Sequence, residues 1–192
     1  APDADPANGG GQQVLSNQLQ LKYQVGTANA FVNHNFTNSA ITAAKGFSVS
    51  LDLANYTQTA SGQGAAIAVG MSHAEAMMGH DALGGVSSVD STVAKYTNAF
   101  QDTAFTGGTV LADFYIALRG NNTVAWGVGT GSGTSAPAPT MTTVAAKTGT
   151  ITAQFYVNDF NAGSTVGYQV FYNGASQGYG VFKWSGTNEN YI

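Results

Sequence analysis

The chain has 192 residues, no cysteine and a formal net charge of -4, and only 8% of its residues are charged, against about a quarter in an average domain. Six basic residues against ten acidic ones leave no Lys/Arg cluster, which argues against binding to nucleic acid or to an anionic membrane surface. No apolar run reaches the ~18 residues of a membrane-spanning helix. Hydrophobic residues still make up 43%, enough to bury a core without disulfides.

The first residues predict a polar leader and export from the cell. Residues 1–13 combine Asp, Pro, Gln and a run of three glycines without apolar alternation, so we expect a disordered leader before one domain over residues 14–192. Ala1 followed by Pro2 is typical of a mature N-terminus left by signal cleavage, which predicts a secreted or cell-surface protein. An arbitrary chain boundary is the alternative interpretation.

Strands are predicted wherever apolar and polar side chains alternate with a period of two, as half-buried strands require. The strongest hairpin signal is the Asn173–Gly174 pair between two such segments. We expect the first four strands to form an antiparallel meander and Asn121–Asn122 to join a later hairpin. In chain order the predicted strands cover 18–25, 30–36, 47–53, 67–71, 110–119, 124–128, 151–157, 166–172 and 179–184.

One helix and one long loop interrupt this pattern. Ser72 and Glu75 have capping-box spacing and Gly84 provides a stop signal, so the sequence predicts a short helical excursion over 72–83. Residues 129–146, rich in Gly, Ser, Thr and Pro, predict a loop within the domain. Short strands separated by turns indicate an all-β fold of two antiparallel sheets packed face to face.

Four segments carry a family resemblance: 46–53, 66–71, 112–119 and 182–187. They resemble the laminin-G-like, concanavalin-A-like jelly-roll domains of bacterial secreted and surface proteins, over most of residues 14–192. The resemblance implies a curved two-sheet sandwich displayed outside the cell, often binding glycans and sometimes holding calcium.

The C-terminal end departs from that family pattern. Such domains continue past a segment like 188–192 into another strand, whereas this sequence stops at Ile192. We therefore expect a neighbouring copy to supply the missing strand, with Leu15–Val25 as the only credible donor. A truncated chain is the alternative. Strand donation between copies would make the protein a homopolymer.

Aromatic residues near the predicted strands are candidates for glycan binding, because aromatic faces stack on sugar rings and amide side chains bind the hydroxyls. The alternative is that these rings pack in the core of the sandwich. The candidates are Trp126, Trp184, Tyr168, Tyr172 and Tyr179.

A cluster of histidine and methionine residues is the candidate metal site. On the predicted helix His73, Met77 and His80 fall at i, i+4 and i+7, on one face. This set suits copper(I), and the two imidazoles with Asp81 suit zinc. The alternative is that the methionines pack on the sandwich while the histidines remain in water. A calcium site would need isolated residues such as Asp113 to converge from separate loops, since no EF-hand spacing occurs.

The sequence contains no recognisable catalytic constellation. Glu75 and Glu189 are the only glutamates, Arg119 is the only arginine, and no Gly-x-Ser-x-Gly motif is present. We therefore expect a non-catalytic extracellular structural or adhesive protein that binds glycans, with a polysaccharide hydrolase or lyase as the remaining enzymatic alternative. Two different functions also fit the sequence: a self-assembling subunit of a filament, sheath or matrix, and a secreted protein that binds copper or zinc.

Overall fold

A computed structural model describes residues 11–15, 18–22, 34–56, 64–72, 112–129 and 139–192. Its single helix in this part of the chain is α1, Asn38–Ala44. The strands are β1 Gly11–Leu15, β2 Gln18–Lys22, β3 Gly46–Leu53, β4 Gly64–Val69, β5 Phe114–Arg119, β6 Thr123–Val128, β7 Thr140–Thr143, β8 Gly149–Tyr156, β9 Thr165–Tyr172 and β10 Ala175–Lys183.

The described strands form two four-stranded antiparallel sheets and one separate hairpin. One sheet has the order β10-β9-β8-β3, the other β4-β5-β6-β7, and β1 pairs with β2. The inner faces of the two larger sheets share one hydrophobic core. The prediction of an all-β two-sheet sandwich is therefore confirmed. Within the described residues, no helix has the length and hydropathy to cross a bilayer.

Aromatic rings join the two sheets at the centre of the core. Phe114 of β5 lies edge-on to Phe155 of β8, with 5.2 Å between ring centroids, and stacks on Phe182 of β10 at 5.7 Å. Phe114 is fully buried and the other two rings nearly so. Burying a ring of this size contributes about 2–3 kcal/mol, so this cluster is a main source of cohesion between the sheets.

Strand β5 is buried on both faces. Ile116 and Leu118 enter the core between the sheets, whereas Tyr115 and Ala117 belong to a second apolar cluster on the other side of the same sheet. A strand that is buried on both faces lies in the interior of a fold, which explains why β5 contains almost no polar residues.

The Asn173–Gly174 hairpin is confirmed. These two residues join β9 to β10 with φ values of 48° and 78°, as a two-residue turn of the I′ type requires. The predicted hairpin at Asn121–Asn122 also forms, between β5 and β6, with Asn122 at φ 60°.

The predicted meander of the first strands is wrong. β3 pairs with β8, and β4 pairs with β5 in the other sheet, so the connection after β3 crosses from one sheet to the other. Alternation identifies strands and their inward faces, but it carries no information about long-range partners.

Several elements differ from their predicted boundaries. Strand β7 lies inside the predicted loop 129–146, and its four residues TMTT are mostly exposed, so no apolar alternation marks them. Helix α1 was not predicted. It is only seven residues long, and its N-cap residue Thr37 makes no side-chain hydrogen bond to it. Strand β1 starts at Gly11, so the last residues of the predicted leader pair with β2. The predicted helix beyond Ser72 and most of the predicted strand 30–36 lie outside the described residues.

The C-terminal residues join two distant parts of the chain. The Tyr191 N–H donates to the Met71 carbonyl, and the Tyr191 carbonyl accepts from the Gly70 N–H. Ile192 and His34 exchange both of their backbone hydrogen bonds. Residues 191–192 are therefore held between residues 34–36 and 70–71 by backbone hydrogen bonds.

Candidate functional site

The outer face of the β10-β9-β8-β3 sheet is the first candidate site. It consists of the side chains that alternate with the core residues, so it points away from the other sheet. We call it the outer face. Its members used below are Ser48, Ser50 and Asp52 of β3, Thr152, Gln154 and Tyr156 of β8, Gly167, Gln169 and Phe171 of β9, and Tyr179, Val181 and Lys183 of β10.

Two cross-strand rows organise the outer face. The strand registers place Ser48, Gln154, Gln169 and Tyr179 in one row. The adjacent row contains Gly46, Tyr156, Gly167 and Val181. A band of hydroxyl and amide groups therefore lies beside two aromatic rings.

The two tyrosines of the outer face are the most accessible aromatic side chains of the described residues. Tyr156 is 57% exposed and Tyr179 is 84% exposed. Tyr156 leans over Gly167, because a Cβ added to that glycine would be 3.6 Å from Tyr156 Cβ and Cδ2. Two strand spacings and two residues along the strand separate the tyrosines, so their Cα atoms are about 12 Å apart.

The centre of the outer face carries no charge. Asp52 and Lys183 are the charged residues of its four strands, and they lie at diagonally opposite corners. Between them, Ser50 and Thr152 share a hydrogen bond of 2.8 Å, and Gln169 donates to Ser176 at 3.1 Å. Uncharged donors and acceptors beside exposed rings suit a neutral polar ligand.

The structure separates the aromatic residues predicted to bind glycans. Trp126, Trp184 and Tyr172 are buried, with at most 7% of each side chain exposed, so their faces pack in the core. The Trp184 indole N–H donates to the Asp159 carbonyl at 3.0 Å. Tyr168 is half-buried with its ring 4.7 Å from Phe114, and burial raises the pKa of its phenol. Only Tyr179 of the five lies on the outer face.

The predicted metal residues His73, Met77, His80 and Asp81 lie outside the described residues. Among the residues that are described, no three His, Asp or Glu side chains come close enough to hold a metal ion. Asp113, considered for calcium, is 1% exposed, and its Oδ2 accepts a hydrogen bond from the Ser185 backbone N–H at 3.0 Å. Asp113 thus ties the C-terminal segment to the start of β5.

A groove at one end of the sandwich is the second candidate site. Its volume is about 630 Å³, within the range of small-molecule sites. Helix α1 and its C-cap contribute Asn38, Ser39, Thr42 and Lys45 to one wall. The segment after β8 and the C-terminal segment contribute Asp159, Phe160, Asn161 and Asn188.

Hydrogen bonds fix the polar groups of this groove. Asp159 Oδ1 accepts from the Ser164 hydroxyl at 2.5 Å and from the Asn161 backbone N–H at 2.9 Å. These bonds, with that of Ser164 the strongest influence, hold the pKa of Asp159 below its ordinary value, so its carboxylate is ionised at neutral pH. Asn38 Nδ2 donates to Asn188 Oδ1 at 3.2 Å and links the two walls.

The groove adjoins the outer face. Lys45 directly precedes Gly46, which pairs with Tyr156, and the Lys45 carbonyl accepts from the Val157 N–H at 3.2 Å. Asp159 follows Tyr156 by three residues, or about 10 Å of extended chain. The exposed ring of Tyr156 therefore lies at the end of the sheet where the groove begins.

Comparisons with protein-family models, with curated proteins and with solved structures found no match. The fold defines an all-β two-sheet antiparallel sandwich with an uncharged, tyrosine-bearing face. The resemblance to laminin-G-like and concanavalin-A-like domains stays a prediction.

Proposed function

We propose that the protein is a non-catalytic extracellular adhesive module that binds neutral polysaccharide through the outer face. The observation that carries the proposal is the pair of exposed rings, Tyr156 and Tyr179, beside an uncharged row of Gln154, Gln169 and Ser48. Aromatic faces contact the C–H groups of sugar rings, and amide side chains both donate to and accept from hydroxyls.

The charge distribution supports a neutral ligand. An acidic polysaccharide would need basic residues along its path, yet the outer face has a single lysine, Lys183, at a corner. The outer face spans four adjacent strands, which favours an extended chain over a small molecule, because an open sheet face buries little of a compact ligand.

A binding assay with tyrosine variants tests this function. We expect the protein to sediment with at least one insoluble neutral polysaccharide among cellulose, chitin and starch. Tyr156→Ala and Tyr179→Ala should each weaken binding about tenfold, equal to about 1.4 kcal/mol, because each removes one stacking contact. Thr143→Ala, an exposed position on β7 of the other sheet, is the matched control and should bind as the wild type does.

Two results would contradict the proposal. One is that none of the three polysaccharides retains the wild-type protein. The other is that a folded Tyr156→Ala/Tyr179→Ala double variant binds as tightly as the wild type.

Self-assembly through β10 is a second candidate function. β10 is nine residues long and terminates its sheet among the described strands, and its exposed Tyr179 and Val181 are followed by a single charge at Lys183. A long edge strand with few charges is a template for strand addition, here by another copy's β10. The predicted donor 15–25 is divided between β1 and β2, which already pair with each other.

Light scattering across a concentration series and negative-stain microscopy test assembly. We expect the mass to rise with concentration and Val181→Lys to return the protein to a monomer, because a lysine on an edge strand opposes pairing. Val181→Thr, which keeps the β-branched shape without a charge, is the control. A wild-type protein that stays monomeric throughout would eliminate this candidate.

A further inference from the structure

We propose that the groove between α1 and the 159–161 segment is a second saccharide subsite, which binds one neutral hexopyranose unit by its hydroxyl groups. The inference rests on the proposed function, because the groove would hold a sugar adjoining the chain on the outer face. It adds a defined location and a chemical class of ligand to that function.

The inventory of polar groups in the groove matches sugar hydroxyls. Vicinal hydroxyls both donate and accept, so they need acceptors and donors side by side. The Asp159 carboxylate provides acceptors, the Asn161 side-chain amide provides donors, and the Ser39 and Thr42 hydroxyls provide both. The hydrogen bonds to Ser164 and to the Asn161 backbone orient this carboxylate before a ligand arrives.

One polar atom of a residue that lines the groove has no hydrogen-bond partner. Asn38 Oδ1 is buried and accepts no hydrogen bond, while Nδ2 of the same amide donates to Asn188. A buried acceptor without a donor costs about 1–3 kcal/mol. If the Asn38 amide rotates so that Oδ1 reaches the groove, a ligand hydroxyl that donates to it would remove this cost.

Charge and shape select a neutral ring. Lys45 and Asp159 contribute opposite charges to the lining, so neither a free anion nor a free cation is favoured. Asp159 is the only carboxylate of the lining, which leaves too few anionic oxygens to hold a metal ion tightly. The groove volume of about 630 Å³ accommodates a sugar ring with its water.

Position connects the groove to the outer face. Tyr156 ends β8, and Lys45 lies beside its partner Gly46. A polysaccharide that stacks on Tyr156 would therefore place its terminal unit or a branch at Asp159. The groove would then distinguish chain ends or branches from the middle of a chain, while the outer face binds the chain itself.

The test uses monosaccharides, which are too small to bridge the groove and the outer face. Uniformly ¹⁵N-labelled protein is titrated separately with glucose, galactose, mannose and N-acetylglucosamine while the side-chain amide signals of Asn38, Asn161 and Asn188 are followed. We expect at least one sugar to shift these signals in a saturable way. In an Asn161→Ala/Asn188→Gly variant the affinity should fall at least tenfold. Glycine at 188 tolerates the φ of 64° that the asparagine adopts.

Matched variants keep the test decisive. Asn158→Ala, exposed and outside the groove lining, should bind like the wild type. Asn161→Ala alone keeps the backbone hydrogen bond to Asp159, so it replaces the double variant if that fails to fold. Calcium chloride and inorganic phosphate are titrated as competing ligand classes.

The outcomes separate this inference from the proposed function. No shift with any sugar, an equal shift in the groove variants, or a specific response to calcium or phosphate alone would overturn the subsite. Monosaccharide shifts without polysaccharide sedimentation would support sugar binding in the groove and contradict polysaccharide binding on the outer face. Sedimentation that depends on Tyr156 and Tyr179 without monosaccharide shifts would support binding on the outer face and contradict the subsite in the groove.

Discussion

The indole ring of Trp126 packs directly on Gly178 across the two sheets, so that a Cβ at Gly178 would stand 2.6 Å from Trp126 Cζ2. Trp126 belongs to β6 and Gly178 to β10. The absence of a side chain at this position is therefore what allows the buried ring to lie between the sheets.

Gly178→Ala should destabilise the protein by about 1–3 kcal/mol, because a rigid ring cannot move aside without repacking the core. The free energy of unfolding from urea denaturation measures the effect. Gly167→Ala is the matched control: its Cβ would meet Tyr156 at 3.6 Å, an ordinary contact, so its stability should stay within about 0.5 kcal/mol of the wild type. Equal effects of the two substitutions would contradict this packing.

Asn173 has a conformational role and a hydrogen-bonding role that can be measured separately. It adopts φ 48°, and its Oδ1 accepts from the Thr150 N–H at 2.8 Å. Asn173→Gly should cost about 1 kcal/mol, because it keeps the turn and loses only the hydrogen bond. Asn173→Ala should cost about 1–2 kcal/mol more, because alanine is strained in the left-handed region. Chemical denaturation of the two variants checks this order, and a more stable alanine variant would refute it.

Because hydrogen bonds lower the pKa of Asp159, we predict that the stability of the protein decreases at acidic pH. The folded pKa lies below the ordinary value of 3.8, so the unfolded chain takes up the proton at a higher pH than the native protein. The stabilisation is therefore present above about pH 4 and is lost as the pH falls through the folded pKa. Urea denaturation at a series of acidic pH values should show this decline.

Ser164→Ala removes the hydrogen bond that lowers the Asp159 pKa most. The decline in stability that is due to Asp159 should therefore become smaller in this variant. Ser48→Ala, an exposed serine on the outer face, is the control and should keep the wild-type profile. An unchanged profile in Ser164→Ala would show that this hydrogen bond does not set the pKa.

Tyr115 predicts a second pH dependence, in alkali. Burial raises its pKa to about 12 from 10.0, while the positive charge of Arg119 acts in the opposite direction. The unfolded chain loses the phenolic proton first, so the contribution to stability is present below pH 10.0 and is lost as the pH rises toward about 12. An ultraviolet absorbance titration of the wild type should show one phenol that ionises at a higher pH than the others. This late phase should be missing in Tyr115→Phe. If that late phase persists in the variant, it belongs to another tyrosine.

The strand pattern and one turn could be predicted because their signals are local. Alternation along 151–157 identifies both the buried Phe155 and the outward-pointing Tyr156, and Asn173–Gly174 specifies its turn by backbone conformation alone. The same alternation was therefore a sufficient signal for placing Tyr156 on the outer face. Choosing candidates by residue type instead selected Trp126 and Trp184, which pack in the core.

The groove could not be predicted because its residues converge only through tertiary packing. Asn38 and Asn188 are 150 positions apart and come together where α1 packs beside the C-terminal segment. Neither α1 nor the pairing of β3 with β8 has a local signal that specifies its partner. Sheet assignment, unlike strand identity, depends on competition among all of the strands.

The pairing of β3 with β8 also has a kinetic consequence. Strands β8, β9 and β10 are consecutive hairpins that can associate early, whereas Asp52 meets Thr150 across 98 positions of the chain. Loop closure on this scale slows folding, and all-β domains with such non-local pairing fold in milliseconds to seconds. If these hairpins associate before β3 docks, the edge of β8 stays unpaired until that step and can pair with the strand of another chain.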